Sequence, residues 1–298
     1  MEKIGLVLAG GGAKGAYEIG VWKFLKECGL EEHICCVSGT SVGALNAALF
    51  AGSDYETAER IWLNIRKDIV LSPRKISTTD ILKWLAMSNI TIKNPFARLI
   101  SKFIYLASSG ALFNAKKMAT LVVQKMHSDY FFSRSGMISL INEGVDFNKL
   151  KSGLVPCYAT CLKVPDMKVT RFRINDYEKN DILTMLLASS ALPIIFPNES
   201  YQGSLYCDGG VPEVGDNIPV RPVYDMGIRT IIVVYLGKED RIVKEEFPGA
   251  HIIEIEPSEE LGDLVNGTLD FSASGSKRRL NAGYKDAKEV IGKWLANS

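Results

Sequence analysis

The chain has 298 residues, of which 47% are hydrophobic and 23% charged, and its net charge is +1. That length can bury a sizeable core, and the composition is that of a globular protein rather than a disordered or fibrous one. A near-neutral balance supplies no global field for nucleic acid, and no apolar run approaches the length of a membrane span.

In chain order, IGLVLA at 4–9 reads as a short buried strand bounded by glycine. A helix over 14–28 follows, and ICCVS at 34–38 is a second strand, with a further helix starting near Val42. Strand, helix, strand, helix with tight turns implies parallel strands joined by right-handed crossovers. Ser53 with Glu56 has the capping-box spacing, and Ala58, Ile61, Trp62 and Ile65 then fall on one helical face. Further helices are expected near Thr79-Asp80, over 96–107, and after Asn114. The region 53–145 therefore reads as a helical insert. Its apolar segment FIYLASSGALF at 103–113 is expected to pack on the core. Strands return at 154–162 and 168–174, then a helix over 181–189, then short strands at 203–207, 229–235 and 251–255. An amphipathic helix over about 276–296 closes the chain, and Lys277-Arg278-Arg279 reads as its solvated end. The expected fold is α/β: a three-layer sandwich with a mostly parallel central sheet flanked by helices, formed by one domain over 1–298.

Six cysteines lack metal-ligand spacing, and Cys157, Cys161 and Cys207 sit in apolar runs, so buried free thiols are expected. No calcium-loop or H-E-x-x-H pattern occurs, so no metal is implied. The first strand begins at Ile4, which leaves no room ahead of it for a signal peptide. A reducing cytoplasm is the expected compartment.

Two glycine motifs carry the chemistry. Gly10, Gly12 and Gly15 satisfy G-x-G-x-x-G between a strand and a helix, the dinucleotide fingerprint in its usual setting. That fingerprint also needs a carboxylate at the end of the second strand, and none lies between Ser38 and Gly43. Instead, Gly39-Thr40-Ser41-Val42-Gly43 is G-x-S-x-G between a strand and a helix, the pattern of a nucleophile elbow. In a parallel sheet the loops after the first and second strands share one edge. Gly10, Gly11 and Gly12 then lie beside Ser41 and can offer N–H groups to a developing oxyanion, together with Val42. Losing one such donor typically costs about 3 kcal/mol of transition-state stabilisation.

A serine nucleophile needs a proton acceptor. His33 and His251 fall at the amino ends of strands, away from the elbow, and His127 ends a helix of the insert. Asp208, followed by Gly209 and Gly210, is the remaining candidate, although Asp-Gly is also common in plain turns.

Taken in order, Gly10-Gly11-Gly12-Ala13-Lys14-Gly15, Gly39-Thr40-Ser41-Val42-Gly43 and Asp208-Gly209-Gly210 resemble the patatin-like phospholipase family. Ala188-Ser189-Ser190-Ala191 with Pro193, Phe196 and Pro197, then Asn217 and Pro219, then Gly283-Tyr284 with Asp286-Ala287, extend the resemblance along nearly the whole chain. Lys14 stands where many members carry arginine; it keeps the charge but not a bidentate phosphate contact. The resemblance implies a Ser41–Asp208 dyad without histidine, an oxyanion site from Gly11, Gly12 and Val42, and metal-independent hydrolysis of a phospholipid, lysophospholipid or glyceride. It implies transient peripheral membrane contact, no cofactor and no nucleic-acid partner. Two alternatives stay open at this level: a dinucleotide-binding oxidoreductase built on the glycine loop, and a catalytically silent scaffold that keeps the fold and binds lipid or protein.

Overall fold

The computed structural model describes residues 3–71, 133–192, 196–238 and 240–297. Eight strands form one mixed sheet: β1 (Ile4–Leu8), β2 (Ile34–Thr40), β3 (Cys157–Val164), β4 (Lys168–Arg173), β5 (Glu199–Tyr201), β6 (Ser204–Asp208), β7 (Thr230–Val234) and β8 (His251–Ile255). The chain places β2 and β3 on one side of β1 and β7 and β8 on the other, all parallel. Continuous apolar strands such as IGLVL and TIIVV are buried along their whole length, as a parallel sheet covered on both faces requires.

Helices cover the two faces. On one side lie α1 (Ala16–Glu27) and α2 (Val42–Gly52), against Leu6 and Leu8 of β1. The region after α2 holds α3 (Tyr55–Asn64), α4 (Lys67–Val70), α5 (Ser135–Gly144) and α6 (Phe147–Lys151). α7 (Lys179–Ser189) follows β4, and α8 (Val220–Asp225) packs on the opposite face, where Val223 fills the space above Gly5. α9 (Ala273–Ala296) closes the chain and crosses α1 with backbone against backbone: a Cβ on Gly20 would strike the Leu280 carbonyl, and one on Gly283 would strike that of Tyr17. The Tyr17 hydroxyl donates to Asp286 at 2.9 Å across this crossing.

The expected three-layer α/β architecture is the observed one, with local differences. The first helix starts at Ala16, after a 3-10 turn over Gly12–Gly15. α3 is capped by Asp54 rather than Ser53, because the Asp54 carboxylate accepts from the Thr57 N–H at 2.7 Å. The strand expected at 203–207 extends to Asp208, and β5, α8 and a π-helical turn over Leu264–Thr268 have no counterpart in the sequence reading. Arg279 is not at a solvated helix end; its side chain is fully buried. The helices expected near 79, over 96–107 and after 114, the segment 103–113, His127 and Pro193 lie outside the described residues.

Both edges of β3 are occupied, and this arrangement builds the site. β4 covers one edge from Tyr158 to Lys163. The other edge is shared. β2 runs parallel along Cys157–Thr160, and β6 runs antiparallel along Val164–Cys161. The two strands arrive head-on, with Thr40 opposite Thr160 and Asp208 opposite Cys161.

Candidate active site

Ser41 follows the tip of β2 and precedes α2. Its φ of 57° is a left-handed value for a residue with a side chain, a strain of about 1–3 kcal/mol that the surroundings must hold. Gly39 and Gly43 let them do so: a Cβ on Gly39 would strike the Gly43 backbone, and one on Gly43 would strike the Leu8 carbonyl. The turn is pinned from outside as well. The Ser41 N–H donates to Ser189 Oγ at 2.9 Å, whose hydroxyl donates to the Thr160 carbonyl at 2.7 Å. Thr40 Oγ1 donates to the Asp216 carbonyl at 2.7 Å.

Asp208 meets Ser41 from the other direction, as the last residue of β6. Its Oδ1 accepts from the Gly210 N–H at 2.8 Å, while Oδ2 is buried without a hydrogen-bond partner. Burial pushes the carboxyl up to about 6, against the pull of the nearby Ser41 hydroxyl, the Gly210 N–H and the Arg134 charge. The hydroxyl thus stands beside the carboxylate, close enough to favour its charged form without closing a hydrogen bond to Oδ2. Such looseness is usual in an unliganded site. The thiols of Cys161 and Cys207 flank Asp208, and burial raises both, so they stay protonated and add no charge.

The glycine loop lies at the crevice between β1 and β7, where the strand order reverses, which is where open α/β sheets bind ligands. One cavity of about 340 Å³ takes in Gly10, Gly11, Gly12, Lys14, Ser41, Val42, Asp208 and Gly210. Gly15 and Gly209 stand behind this lining. A Cβ on Gly15 would press on Val42 at about 2.5 Å, and one on Gly209 would strike the Thr160 carbonyl. The expectation for Gly10 needs correction. Its N–H donates to Asn217, to the side-chain Oδ1 at 3.1 Å and the backbone carbonyl at 3.2 Å, so it is already engaged. Gly12 opens the 3-10 turn and Val42 opens α2, and first-turn N–H groups have no intrahelical acceptor. The positive end of α2 adds to the potential at the same point.

Away from these polar groups the cavity is apolar. Leu45 and Leu49 of α2, Ile61 of α3, and Met137 and Ile141 of α5 line it. Asn46 adds a polar group beside them; its amide donates to Glu18 at 2.7 Å and to the Gly15 carbonyl at 3.0 Å and accepts from the Trp62 indole at 2.9 Å. Glu18 is wholly buried, and that burial raises its pKa well above the usual carboxylate range. On the Asp208 side, the buried Arg134 donates to the Leu187 carbonyl and, at 3.3 Å, to that of Ser190. It lies 3.6 Å from Glu199 and stacks 4.3 Å from the Phe196 ring centroid. Desolvation lowers the guanidinium pKa to about 10, which still leaves it charged at neutral pH. Neither Arg134 nor Glu18 belongs to a motif, so their place could not be read from spacing. Ser189 lies in a segment the sequence marks, although its task does not show there. His33 ends the turn ahead of β2 and His251 opens β8, and neither lines the cavity. Among the described residues, no helix is long and apolar enough to cross a membrane.

A family model described as patatin-like phospholipase matches residues 6–224, which leaves β7, β8 and α9 outside the matched span. The lysophospholipase NTE1 of Cryptococcus neoformans is 26% identical over 241 residues, covering 80% of this chain and 11% of that protein. The rat patatin-like phospholipase domain-containing protein 7 is 50% identical over 48 residues, covering 16% of this chain and 3% of that protein. The chain thus spans only about a tenth of the length of the first of these relatives, and less of the second. Among solved structures, VipD from Legionella pneumophila superposes with a TM-score of 0.56 at 16% identity, covering 98% of this chain and 67% of that one, a likeness of fold.

Proposed function

The chain belongs to the patatin-like phospholipase family, and from that premise we propose that it hydrolyses carboxylic esters of phospholipids or lysophospholipids through an acyl-enzyme on Ser41 and Asp208. The observation that carries the reading is the head-on meeting of β2 and β6, which puts a strained serine and an unpartnered carboxylate oxygen in one cavity.

The chemistry runs as follows. Ser41 Oγ attacks the ester carbonyl carbon as its proton passes to Asp208. The N–H groups of Gly11, Gly12 and Val42 take up the charge on the carbonyl oxygen. Collapse of the tetrahedral species breaks the C–O bond to the leaving alcohol, which receives the proton from Asp208. Water then adds to the acyl-enzyme with Asp208 again as base, releasing the fatty acid and restoring the serine. An aspartate near its usual pKa of about 4 is a weak base for this work, and the value of about 6 brings it closer to neutral pH. The apolar side chains Leu45, Leu49, Ile61, Met137 and Ile141 suit an acyl chain. Lys14 at the glycine loop suits the phosphate side. The reading includes one catalytic domain over 1–298 with a helical insert near 53–145, acting in the cytoplasm through transient contact with a lipid surface.

The test is fluorophosphonate labelling with peptide mapping, followed by a lipid panel on wild type, Ser41→Ala and Asp208→Ala. Label on Ser41 and loss of fatty-acid release in both variants are expected. Wild-type protein that binds lipid but neither labels nor hydrolyses would point to the silent scaffold instead.

A further inference from the structure

The C-terminal helix reaches into the glycine loop through a buried cation. Arg279 projects from α9 with its guanidinium fully enclosed. Its Nη1 donates to the Asp270 carbonyl at 2.9 Å and to the Ala13 carbonyl at 3.4 Å. Its Nη2 donates to the Asn266 carbonyl at 2.8 Å and to Asp270 Oδ2 at 2.8 Å, and Nε donates to the Leu261 carbonyl at 3.4 Å. One side chain thus ties two segments together: the glycine loop at Ala13, and the turn over Leu261–Asp270.

That turn is the roof of the glycine loop. Gly12 has a φ of 58°, and a Cβ there would collide with the Thr268 carbonyl. The chain of Lys14 passes so close to Gly267 that a Cβ on that glycine would lie 2.8 Å from Lys14 Cε. Thr268, Leu269 and Phe271 continue the cavity wall from there. Within the turn, a π-helical step with glycines at 262 and 267, the Thr268 N–H donates to the Asp263 carbonyl at 3.0 Å, the Asn266 N–H to Asp263 Oδ1 at 2.8 Å and the Asp270 N–H to the Gly267 carbonyl at 3.2 Å. α9 is fixed on α1 by the close backbone crossing at Gly20 and Gly283, and α1 grows directly from the glycine loop. α9 therefore holds the turn and the glycine loop together through Arg279, and the held loop is the one that would bind the oxyanion.

We infer that Arg279 is a positioning residue for the reaction, fixing the glycine loop so that the Gly11 and Gly12 N–H groups stand where the oxyanion forms. The inference rests on the proposed acyl-enzyme reading. A guanidinium suits the task because its planar fork spreads five N–H donors over three nitrogens, whereas an ammonium has three on a single atom. Because the loop would shift rather than vanish, the penalty falls on the transition state and not on binding of the neutral ester.

The experiment uses the full chain and compares wild type, Arg279→Lys, Arg279→Met and Gly267→Ala on a micellar nitrophenyl ester, with active sites counted by fluorophosphonate. Arg279→Met is expected to lower kcat per labelled site by about 10- to 100-fold, with KM within about twofold and the acid limb of the pH profile in place. Arg279→Lys recovers part of the loss. Gly267→Ala keeps the arginine but sets a Cβ against the Gly262 carbonyl, which deforms the turn that Arg279 holds over the loop; it is expected to lower kcat in the same pattern, which decides the matter if Arg279→Met does not fold. A lower melting temperature with unchanged kcat per labelled site in Arg279→Lys and Gly267→Ala would make the arginine a structural brace only and overturn the inference. So would a displaced acid limb, since the effect would then run through Asp208. Wild-type protein that never labels at Ser41 would overturn the parent reading instead, and is told apart by that control.

Discussion

Two walls face each other across the cavity, and they are built by different means. The proposed nucleophile wall consists of the β1 and β2 tips with the starts of α1 and α2; its Gly39 and Gly43 are set by backbone-to-backbone contact within that one run of chain, while Gly10, Gly11 and Gly12 are met by Asn217, Leu236 and Thr268. The base wall is gathered from afar: Asp208 at the end of β6, Ser189 and Ser190 at the end of α7, and Arg134 ahead of α5. On the first wall, geometry follows from which residues lack a Cβ. On the second it follows from buried charges and hydroxyls brought together from distant segments. The first should therefore be sensitive to added bulk and the second to lost charge or hydrogen bonds.

The sharpest way to break this comparison is to remove the reacting groups. Ser41→Ala and Asp208→Asn should each lower kcat by on the order of 10⁴-fold or more, without additivity in the double variant, because they act as one unit. Steady-state kinetics on the singles and the double would show it, and independent, multiplying losses would separate the two walls functionally.

Next comes the pH profile. In the proposed reaction Asp208 works ionised, so kcat/KM should fall as pH drops through about 6. The groups facing this carboxyl are the Ser41 hydroxyl, the Gly210 N–H, the protonated Cys161 and Cys207 thiols, and the Arg134 cation. Arg134 favours the ionised form, so Arg134→Met should move the acid limb to higher pH, whereas Arg134→Lys should hold it closer to wild type. A limb that stays put in Arg134→Met would show that this arginine only braces the end of α7.

A smaller effect is expected at Ser189. Its replacement by alanine leaves the Ser41 N–H and the Thr160 carbonyl without their partner. A loss of about 1–3 kcal/mol in chemical denaturation is expected for an orphaned buried group.

The smallest change should come at Glu18. Burial raises its pKa, so the folded protein holds it neutral and loses stability as pH rises from the unfolded carboxylate range toward the folded value. Glu18→Gln copies the neutral form. It should leave activity near wild type at pH 7 and flatten that decline, measured as Tm against pH.

Much of the nucleophile wall was legible in the sequence. Glycines at fixed offsets between an apolar strand and a helix have few physical meanings, and a missing carboxylate after β2 takes away one requirement of the dinucleotide reading of Gly10, Gly12 and Gly15. The same local view overreached at Gly10, since the Asn217 amide that occupies its N–H comes from far along the chain. It misplaced a cap by one residue at Asp54, because two neighbouring polar side chains offer the same signal.

Asp208 was harder. As a residue before two glycines it looked like any tight turn, and the family resemblance set it apart. Burial then decided the character of each charge. Arg279 looked like one of three basic residues on a solvated helix end and is enclosed among carbonyls. By itself, the sequence determined the main strands and flanking helices, the parallel pairing of β1 and β2 and the tight serine turn between β2 and α2, because these depend on periodicity and on where a Cβ is absent. The tertiary structure alone decided that β6 meets β2 along one edge of β3, which N–H groups remain free, and which cations are buried. Those properties belong to pairs of residues far apart in the chain, and hydrogen bonds and desolvation act on what lies adjacent in space.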